Sequence, residues 1–204
     1  MISGKLLDDL RKSVSSRMSE KRYIHTLGVE KAAILLSEYC LPEKRDQLAI
    51  AALLHDITKE MPHDAQISLL AEEGIDLGCE EDIFSVIHSF TAPYVVKKEF
   101  PELADEEILS AIEKHTLGDA RMTVFDKIIF LADFIEESRT YQSSVKTRDF
   151  VLNSMKKGDF EHNIKILDRA CVMEIDSTIA HLSERGRTVN ERSLLAREAL
   201  LSKI

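Results

Sequence analysis

Residues 48–54 read Leu-Ala-Ile-Ala-Ala-Leu-Leu and are apolar on every side of a helix. A helix without a polar face has to be covered on all sides, so this segment predicts a buried central helix, within a helical stretch over residues 43–59. The segment runs directly into His55 and Asp56. Burying an imidazole and a carboxylate is costly unless both are paired or coordinate a metal. The fold must therefore surround this helix and supply partners for the polar pair at its end.

The hydrophobic periodicity is helical nearly everywhere, and no segment keeps the alternation of a strand. Seven glycines and four prolines are too few to punctuate a strand-rich fold of 204 residues. Further helices are predicted over residues 80–87, 91–99, 123–139 and 148–157, among others. The sequence therefore predicts an all-α fold, a single bundle of about eight helices in residues 17–204, preceded by an N-terminal helical extension over residues 1–16.

Charge and composition argue against several classes of protein. A net charge of −9 disfavours a general nucleic-acid binder, which would present a basic face. No apolar run approaches the ~18–20 residues of a membrane span, and the N-terminus has no continuous apolar stretch typical of a secretory signal. The cysteines Cys40, Cys79 and Cys171 are far apart and form no CxxC, so reduced thiols are predicted. We expect a cytoplasmic protein, with a homodimer left open.

Six residues that can bind a metal occupy positions where the periodicity predicts burial. They are His25, His55, Asp56, His88, His115 and Asp133. Taken singly, each is more often a hydrogen-bonded core residue than a ligand. Taken together, in a chain with seven histidines, one shared metal site explains the whole set. Imidazole and carboxylate ligands suit iron, manganese, cobalt or zinc. The second His-Asp pair, His63 and Asp64, follows a proline in a polar stretch and is predicted to be solvated.

Three cations lie near these residues in the sequence. Lys59 follows Asp56 by three residues, Arg22 precedes His25 by almost one helical turn, and Arg139 follows Asp133 by six residues. Any of them alone is more often a solvated surface charge. Beside a metal, they become candidate clamps for phosphate oxygens.

Several segments, in this order, resemble the YqeK family of HD-domain proteins, which are bacterial symmetrical diadenosine tetraphosphate hydrolases. The resemblance covers roughly residues 17–200. Its motifs are Arg22-Tyr-Ile-His25-Thr-Leu-Gly-Val29, His55-Asp56-Ile-Thr-Lys59, His88, His115-Thr-Leu-Gly118, the run from Met122 to Arg139, and Ser193-Leu-Leu-Ala-Arg197. The chain departs from the family pattern around His88, where Ile87, Ser89 and Phe90 replace the usual Trp, Gly or Ala, and Pro, and at Glu137 and Glu198.

The resemblance implies a role for each matching residue. A divalent metal, with iron as the first choice, would be held by His25, His55, Asp56 and Asp133. Catalysis would involve Asp56 and Lys59. Substrate contacts would come from Arg22, His88, His115, Thr116, Arg139, Ser193 and Arg197. A second metal at His88 and His115 is an alternative to phosphate contact by these two histidines.

The expected reaction is hydrolysis of a dinucleoside tetraphosphate by metal-activated water, with Ap4A giving two ADP. Two alternatives remain open within nucleotide chemistry. One is another HD phosphohydrolase that acts on nucleoside mono- or triphosphates, and the other is a nucleotide-binding regulator with little turnover. A structural helical scaffold is a third option, and the buried His and Asp residues argue against it.

Overall fold

The computed structural model describes residues 4–75 and 83–204, and it places ten α-helices and no strand within them. The predicted helix start at residue 80 and Cys79 lie outside the described residues. The helices are α1 Gly4–Ser15, α2 Glu20–Cys40, α3 Arg45–Leu54, α4 His63–Glu72, α5 Ile83–Glu99, α6 Glu106–Lys114, α7 Val124–Ile135, α8 Gln142–Ser154, α9 Phe160–Glu184 and α10 Glu191–Leu201. The all-α prediction is confirmed. The prediction of about eight helices was too low, since α1 lies in the predicted N-terminal extension and nine further helices follow it in the described residues.

Helix α3 is the centre of the bundle. Every residue from Leu48 to Leu54 is at most 1% exposed. The surrounding helices α1, α2, α6 and α7 all contact α3, so the apolar surface is covered on all sides. The N-terminal α1 adds Leu7, Leu10 and Val14 to the same core. The division of the chain at residue 16 stays a prediction.

The end of α3 differs from the predicted helix over residues 43–59. The helix ends at Leu54, and the next residues form tight turns whose N–H groups bond three residues back. The N–H of Ile57 donates to Leu54 at 3.2 Å, and that of Lys59 donates to Asp56 at 2.9 Å. This tighter winding starts at His55, the point where the apolar segment gives way to polar residues.

One long helix, α5, replaces the two helices predicted over residues 80–87 and 91–99. The polar residues between them do not break it, because their hydroxyls bond to carbonyls of the same helix. Ser89 Oγ donates to Val86 at 2.8 Å, and Thr91 Oγ1 donates to Ile87 at 3.3 Å. Even Pro93 lies inside the helix. The continuous helix holds His88 rigidly on its buried side.

The connection between α7 and α8 also begins earlier than predicted. Helix α7 ends at Ile135 instead of residue 139, and α8 starts at Gln142 instead of residue 148. The guanidinium of Arg148 holds this connection by donating to three carbonyl oxygens, those of Ile135 (2.5 Å), Glu136 (2.5 Å) and Arg139 (2.8 Å). Because carbonyls at the end of α7 bond to Arg148, the chain turns there and does not continue as a helix. Within the described residues, no helix is long and apolar enough to cross a membrane.

Candidate metal centre

The six predicted metal-binding side chains converge at one point inside the bundle. Five of them are nearly inaccessible to solvent, and the side chain of Asp133 is 20% exposed. Helix α2 supplies His25, the turn after α3 supplies His55 and Asp56, α5 supplies His88, the end of α6 supplies His115, and α7 supplies Asp133. Four separate helices and the turn thus place imidazoles and carboxylates around a common centre.

Three of the imidazoles are oriented in the same way. His55 Nδ1 lies 2.6 Å from the carbonyl oxygen of Ala52, and His115 Nδ1 lies 2.6 Å from that of Ile112. His25 Nδ1 lies 3.1 Å from Glu136 Oε1. Since each neighbour accepts a hydrogen bond, Nδ1 is the donor towards that neighbour, and Nε2 faces the centre. Among the described residues, Nε2 of His25 and Nε2 of His55 are buried and have no hydrogen-bond partner.

The two carboxylates complete two overlapping sets of ligand atoms. His25, His55 and Asp133 form one set, and His55, Asp56 and His115 form the other, with all atoms of a set within 4.8 Å of one another. His25 Nε2 lies 3.0 Å from Asp133 Oδ1 and 3.8 Å from Asp56 Oδ2. Orphaned buried nitrogens beside carboxylates are the donor set that a divalent transition metal requires, so the residues fit such an ion.

The electrostatics of the centre favour a cation. Burial opposes ionisation of Asp56, but His55, His115 and His88 outweigh it, so its pKa lies well below the usual value. The pKa of Asp133 is likewise well below its usual value, because His25 and Arg139 outweigh burial. Burial lowers the pKa of His25, yet the carboxylates of Asp133 and Glu136 dominate and raise it to about 9. A buried centre with two ionised carboxylates stabilises positive charge.

His88 lies beside the two ligand sets and connects them to Lys59. Its Nε2 lies 3.2 Å from Asp56 Oδ1 and 3.1 Å from His115 Nε2. Lys59 Nζ lies 3.1 Å from His88 Nδ1, and Thr116 Oγ1 lies 3.2 Å from His88 Nε2. Burial holds the pKa of His88 well below its usual value. The charge of Asp56 opposes this effect, and the charges of His115 and Lys59 add to it. His88 therefore stays neutral in this cluster.

The two arginines each bind one of the carboxylates. Arg22 Nη1 donates to Asp56 Oδ2 at 2.7 Å, and Arg139 Nη2 donates to Asp133 Oδ1 at 2.6 Å. In the part of the chain that the structure describes, the Nε of Arg22 is buried without a hydrogen-bond partner. Both guanidinium groups thus lie next to the centre, where they can also meet phosphate oxygens.

A cavity of about 980 Å³ adjoins the cluster. Ser85 and Thr116 line it on the side of Lys59 and His88, and Ser193 lines it from α10. Ser193 Oγ donates to the carbonyl of Leu117 at 2.8 Å. Arg197 is not among the lining residues, and its Nε donates to Asp176 Oδ1 at 2.5 Å. The structure therefore places Ser193 at the cavity and leaves Arg197 outside its lining, and their predicted substrate contacts stay predictions.

Two further residues of the site were not predicted from the sequence. Glu136 is 1% exposed and bonds to His25. Glu174 on α9 is buried, and among the described residues its Oε2 has no hydrogen-bond partner. Burial raises the pKa of Glu174 well above its usual value, and the charge of Asp133 adds to this against the opposing effect of Arg139. Glu136 lies in the run from Met122 to Arg139 that resembles the family, but the resemblance implied no role for it. Nothing in the sequence distinguishes Glu174 from the other acidic residues of its helix.

Glu174 gives a prediction about stability. A raised pKa means that the folded state binds the proton more tightly, so this contribution to stability is complete below the unfolded pKa of ~4.3 and is lost as pH rises through the folded pKa. We expect Glu174→Gln to raise the Tm of the metal-free protein. Above the unfolded pKa of ~4.3, the difference in Tm from wild type should grow by on the order of 3–5 °C per pH unit. Thermal unfolding at several pH values measures the margin. Glu184→Gln, exposed on the same helix, is the control, and a margin that does not change with pH would contradict the prediction.

Comparisons with known proteins show which family the chain belongs to. A family model described as HD domain matches residues 22–137. The chain is 29% identical to a Bacillus subtilis (strain 168) protein called symmetrical bis(5'-nucleosyl)-tetraphosphatase, over 93% of this chain and 94% of that protein. It is 30% identical to a protein of the same name from Halalkalibacterium halodurans, over 92% and 93% of the two chains. A crystal structure from Clostridium acetobutylicum, described as a predicted HD superfamily hydrolase involved in NAD metabolism, covers 100% of both chains with a TM-score of 0.82 and 30% identity. The chain therefore belongs to the HD-domain family and, within it, to the YqeK family of bacterial proteins.

Proposed function

We propose that the chain is a metal-dependent hydrolase of dinucleoside tetraphosphates that cleaves Ap4A into two molecules of ADP. The observation that carries this proposal is the buried set of imidazole nitrogens and carboxylates beside a cavity of about 980 Å³. Relatives that match more than nine-tenths of the chain carry the name of that activity. A pocket of this size holds a nucleotide-sized ligand.

HD domains bind divalent metals, and in this chain His25, His55, Asp56 and Asp133 would hold the ion. Iron is our first choice, with manganese, cobalt and zinc as alternatives, because the donors are imidazoles and carboxylates without a thiolate. When bound, such an ion would lower the pKa of coordinated water to near neutrality and neutralise phosphate charge. The closeness of His115 to His55 and Asp56 supports a second ion as an alternative.

The cations of the site bind the polyphosphate. A tetraphosphate bridge carries several negative charges, while the chain has a net charge of −9, so local cations have to hold the substrate. Arg22 and Arg139 lie against the ligand carboxylates, where their planar guanidinium groups can also reach phosphate oxygens. Lys59 lies beside His88 and Ser85, and Ser85 lines the cavity, so Lys59 can stabilise or protonate the departing oxygen.

The hydrogen-bonded groups around His88 orient the substrate between the metal ligands and the cavity. His88, His115 and Thr116 form one hydrogen-bonded cluster within 3.2 Å of one another, and we assign them contacts to the phosphates. The cavity itself would take a nucleoside, with Phe90 as an aromatic surface and Ser193 at its α10 side. A contact between Arg197 and the substrate would require its ion pair with Asp176 to open.

Three broader features belong to the same proposal. The acidic net charge supports a small-molecule substrate and argues against nucleic acid. Cys40 and Cys171 are buried free thiols, in accord with a reducing cytoplasm. A homodimer is an assembly that sedimentation of the purified protein would test.

Product analysis tests the reaction. Ap4A incubated with the protein and iron, manganese or cobalt in turn is expected to give ADP as the single product, because the symmetrical cut divides four phosphates equally. Ion-exchange chromatography separates ADP from AMP and ATP. A mixture of AMP and ATP would contradict the symmetrical cut. Absence of cleavage with all three metals, with nucleotide binding retained, would support the regulator instead.

A further inference from the structure

Glu136 differs from the groups that orient the other ligand histidines. The Nδ1 atoms of His55 and His115 face neutral backbone carbonyls, whereas Nδ1 of His25 faces a carboxylate at 3.1 Å. The carboxyl of Glu136 is itself 1% exposed, and its oxygens lie within hydrogen-bond distance of His25 and Ser138. His25 is thus the one histidine of the three that is backed by a full negative charge.

The Glu136 carboxylate is held on its other side by its own turn. The backbone N–H of Ser138 donates to Oε2 at 2.6 Å, and the Ser138 hydroxyl donates to Oε1 at 2.6 Å. Arg148 in turn bonds to the carbonyl oxygens of Ile135 and Glu136. Because the side chain and the backbone of Glu136 are both fixed, the carboxylate presents one defined edge to the imidazole.

Helix α2 leaves room for this carboxylate at Gly28. A Cβ atom added at Gly28 would lie 2.5 Å from Glu136 Oε2, a distance that no side chain tolerates without displacement. Gly28 follows His25 by three residues, so both lie on one face of α2. The glycine therefore lets the carboxylate approach the helix at the level of the histidine ring.

We infer that Glu136 is a positioning residue for metal binding: it fixes the ring of His25 so that Nε2 faces Asp133 and Asp56, and its charge makes that nitrogen a stronger donor. This inference rests on the proposed metal site. Carboxylate partners of metal-binding histidines typically change metal affinity about 10–100-fold. Loss of Glu136 should therefore weaken metal binding by that factor while leaving every predicted metal ligand in place.

The dissociation constant for Mn²⁺ alone, measured by equilibrium dialysis on the full chain, tests the inference. Glu136→Gln keeps an acceptor but loses the charge and is expected to weaken binding ~10-fold, and Glu136→Ala ~100-fold. Glu137→Gln is the matched control, since Glu137 is the next residue but is exposed and paired with Lys31. Its constant should stay within about 2-fold of wild type, because surface ion pairs contribute little.

Gly28→Ala provides a second route to the same carboxylate. Gly28→Ala should weaken Mn²⁺ binding although Glu136 is still present. The Gly28→Ala/Glu136→Ala double variant should bind Mn²⁺ no more weakly than Glu136→Ala alone, because two changes that act through the same carboxylate are not additive. Thermal unfolding in chelator confirms that each variant is folded. Wild-type-like Mn²⁺ affinity in the folded Glu136 variants would overturn the inference and leave the proposed function standing. A wild-type protein that binds no Mn²⁺, iron or cobalt would overturn both.

Discussion

Replacing Asp56 with asparagine is expected to lower kcat/KM for Ap4A by a factor on the order of 10³ or more and to remove most of the bound metal. Asp56 is the carboxylate at the middle of the cluster, with Oδ1 3.2 Å from His88 and Oδ2 2.7 Å from Arg22. The amide keeps the shape of the side chain but loses its charge. Metal chemistry supplies several kcal/mol of transition-state stabilisation, and each ~1.4 kcal/mol is tenfold in rate, which sets the expected size.

The chain provides a matched control for this substitution. Asp64 follows His63 as Asp56 follows His55, but it lies exposed in the first turn of α4. Asp64→Asn should leave metal content and kcat/KM within about 2-fold of wild type, since surface substitutions have small effects. Metal analysis together with steady-state kinetics measures both variants. An Asp56→Asn protein that keeps its full metal content and turnover would refute the assignment of Asp56 as a ligand.

The contrast between the two His-Asp pairs shows how much of the site the sequence predicts. The pair at residues 55–56 ends a segment that is apolar all round, and the structure buries both side chains. The pair at residues 63–64 lies in a polar stretch and is exposed, with His63 stacked on Phe84 at 4.7 Å. The hydrophobic periodicity predicted burial for the first pair only. Because a buried imidazole and carboxylate need partners, this prediction distinguished the candidate site from the surface pair.

Glu136 shows where this reasoning stops. Glu136 and Glu137 are adjacent and identical in chemistry. The resemblance marks Glu137 as a departure from the family pattern, but the predicted helix over residues 123–139 gave no reason to bury Glu136 against His25. The distinction depends on α7 ending at Ile135, which in turn depends on Arg148 from the next helix. A helix end set by a contact from another element is a tertiary effect, and local pattern does not encode it.

The arginines show the same limit for electrostatics. Spacing placed Arg22 and Arg139 near the site as phosphate clamps, and the structure shows both bonded to ligand carboxylates. Each guanidinium therefore neutralises one of the two buried carboxylates. If a metal ion binds the same carboxylates, each carboxylate is shared between the ion and an arginine. Metal binding would then affect the position of the guanidinium group that would bind the phosphate.

Lys59 differs from these two arginines because its hydrogen-bond partners are not carboxylates. Its Nζ donates to the Ser85 carbonyl at 3.1 Å and lies 3.1 Å from His88 Nδ1. Burial lowers the pKa of Lys59, and Asp56 and Asp133 oppose the effect only in part. An ammonium with a lowered pKa gives up its proton more readily, which suits a group beside a departing phosphate oxygen.

We expect Lys59→Met to lower kcat for Ap4A about 10²–10³-fold and to change KM less than about 3-fold. The reason is that a charge acting on the leaving oxygen stabilises the transition state much more than the bound substrate. Methionine keeps the length of the side chain, and the metal ligands are untouched, so metal content should equal that of wild type. Lys98→Met, exposed on α5, is the control for loss of one positive charge from an acidic protein.

Lys59→Arg separates charge from geometry. The guanidinium keeps the charge, but it stays protonated in proteins and cannot give up a proton. If Lys59 acts as a proton donor, Lys59→Arg should be as slow as Lys59→Met, and both should show the same KM. If Lys59→Arg instead recovers wild-type kcat, proton donation is wrong and electrostatic stabilisation alone accounts for the residue. A rise in KM without a fall in kcat for Lys59→Met would place Lys59 in substrate binding and remove it from catalysis.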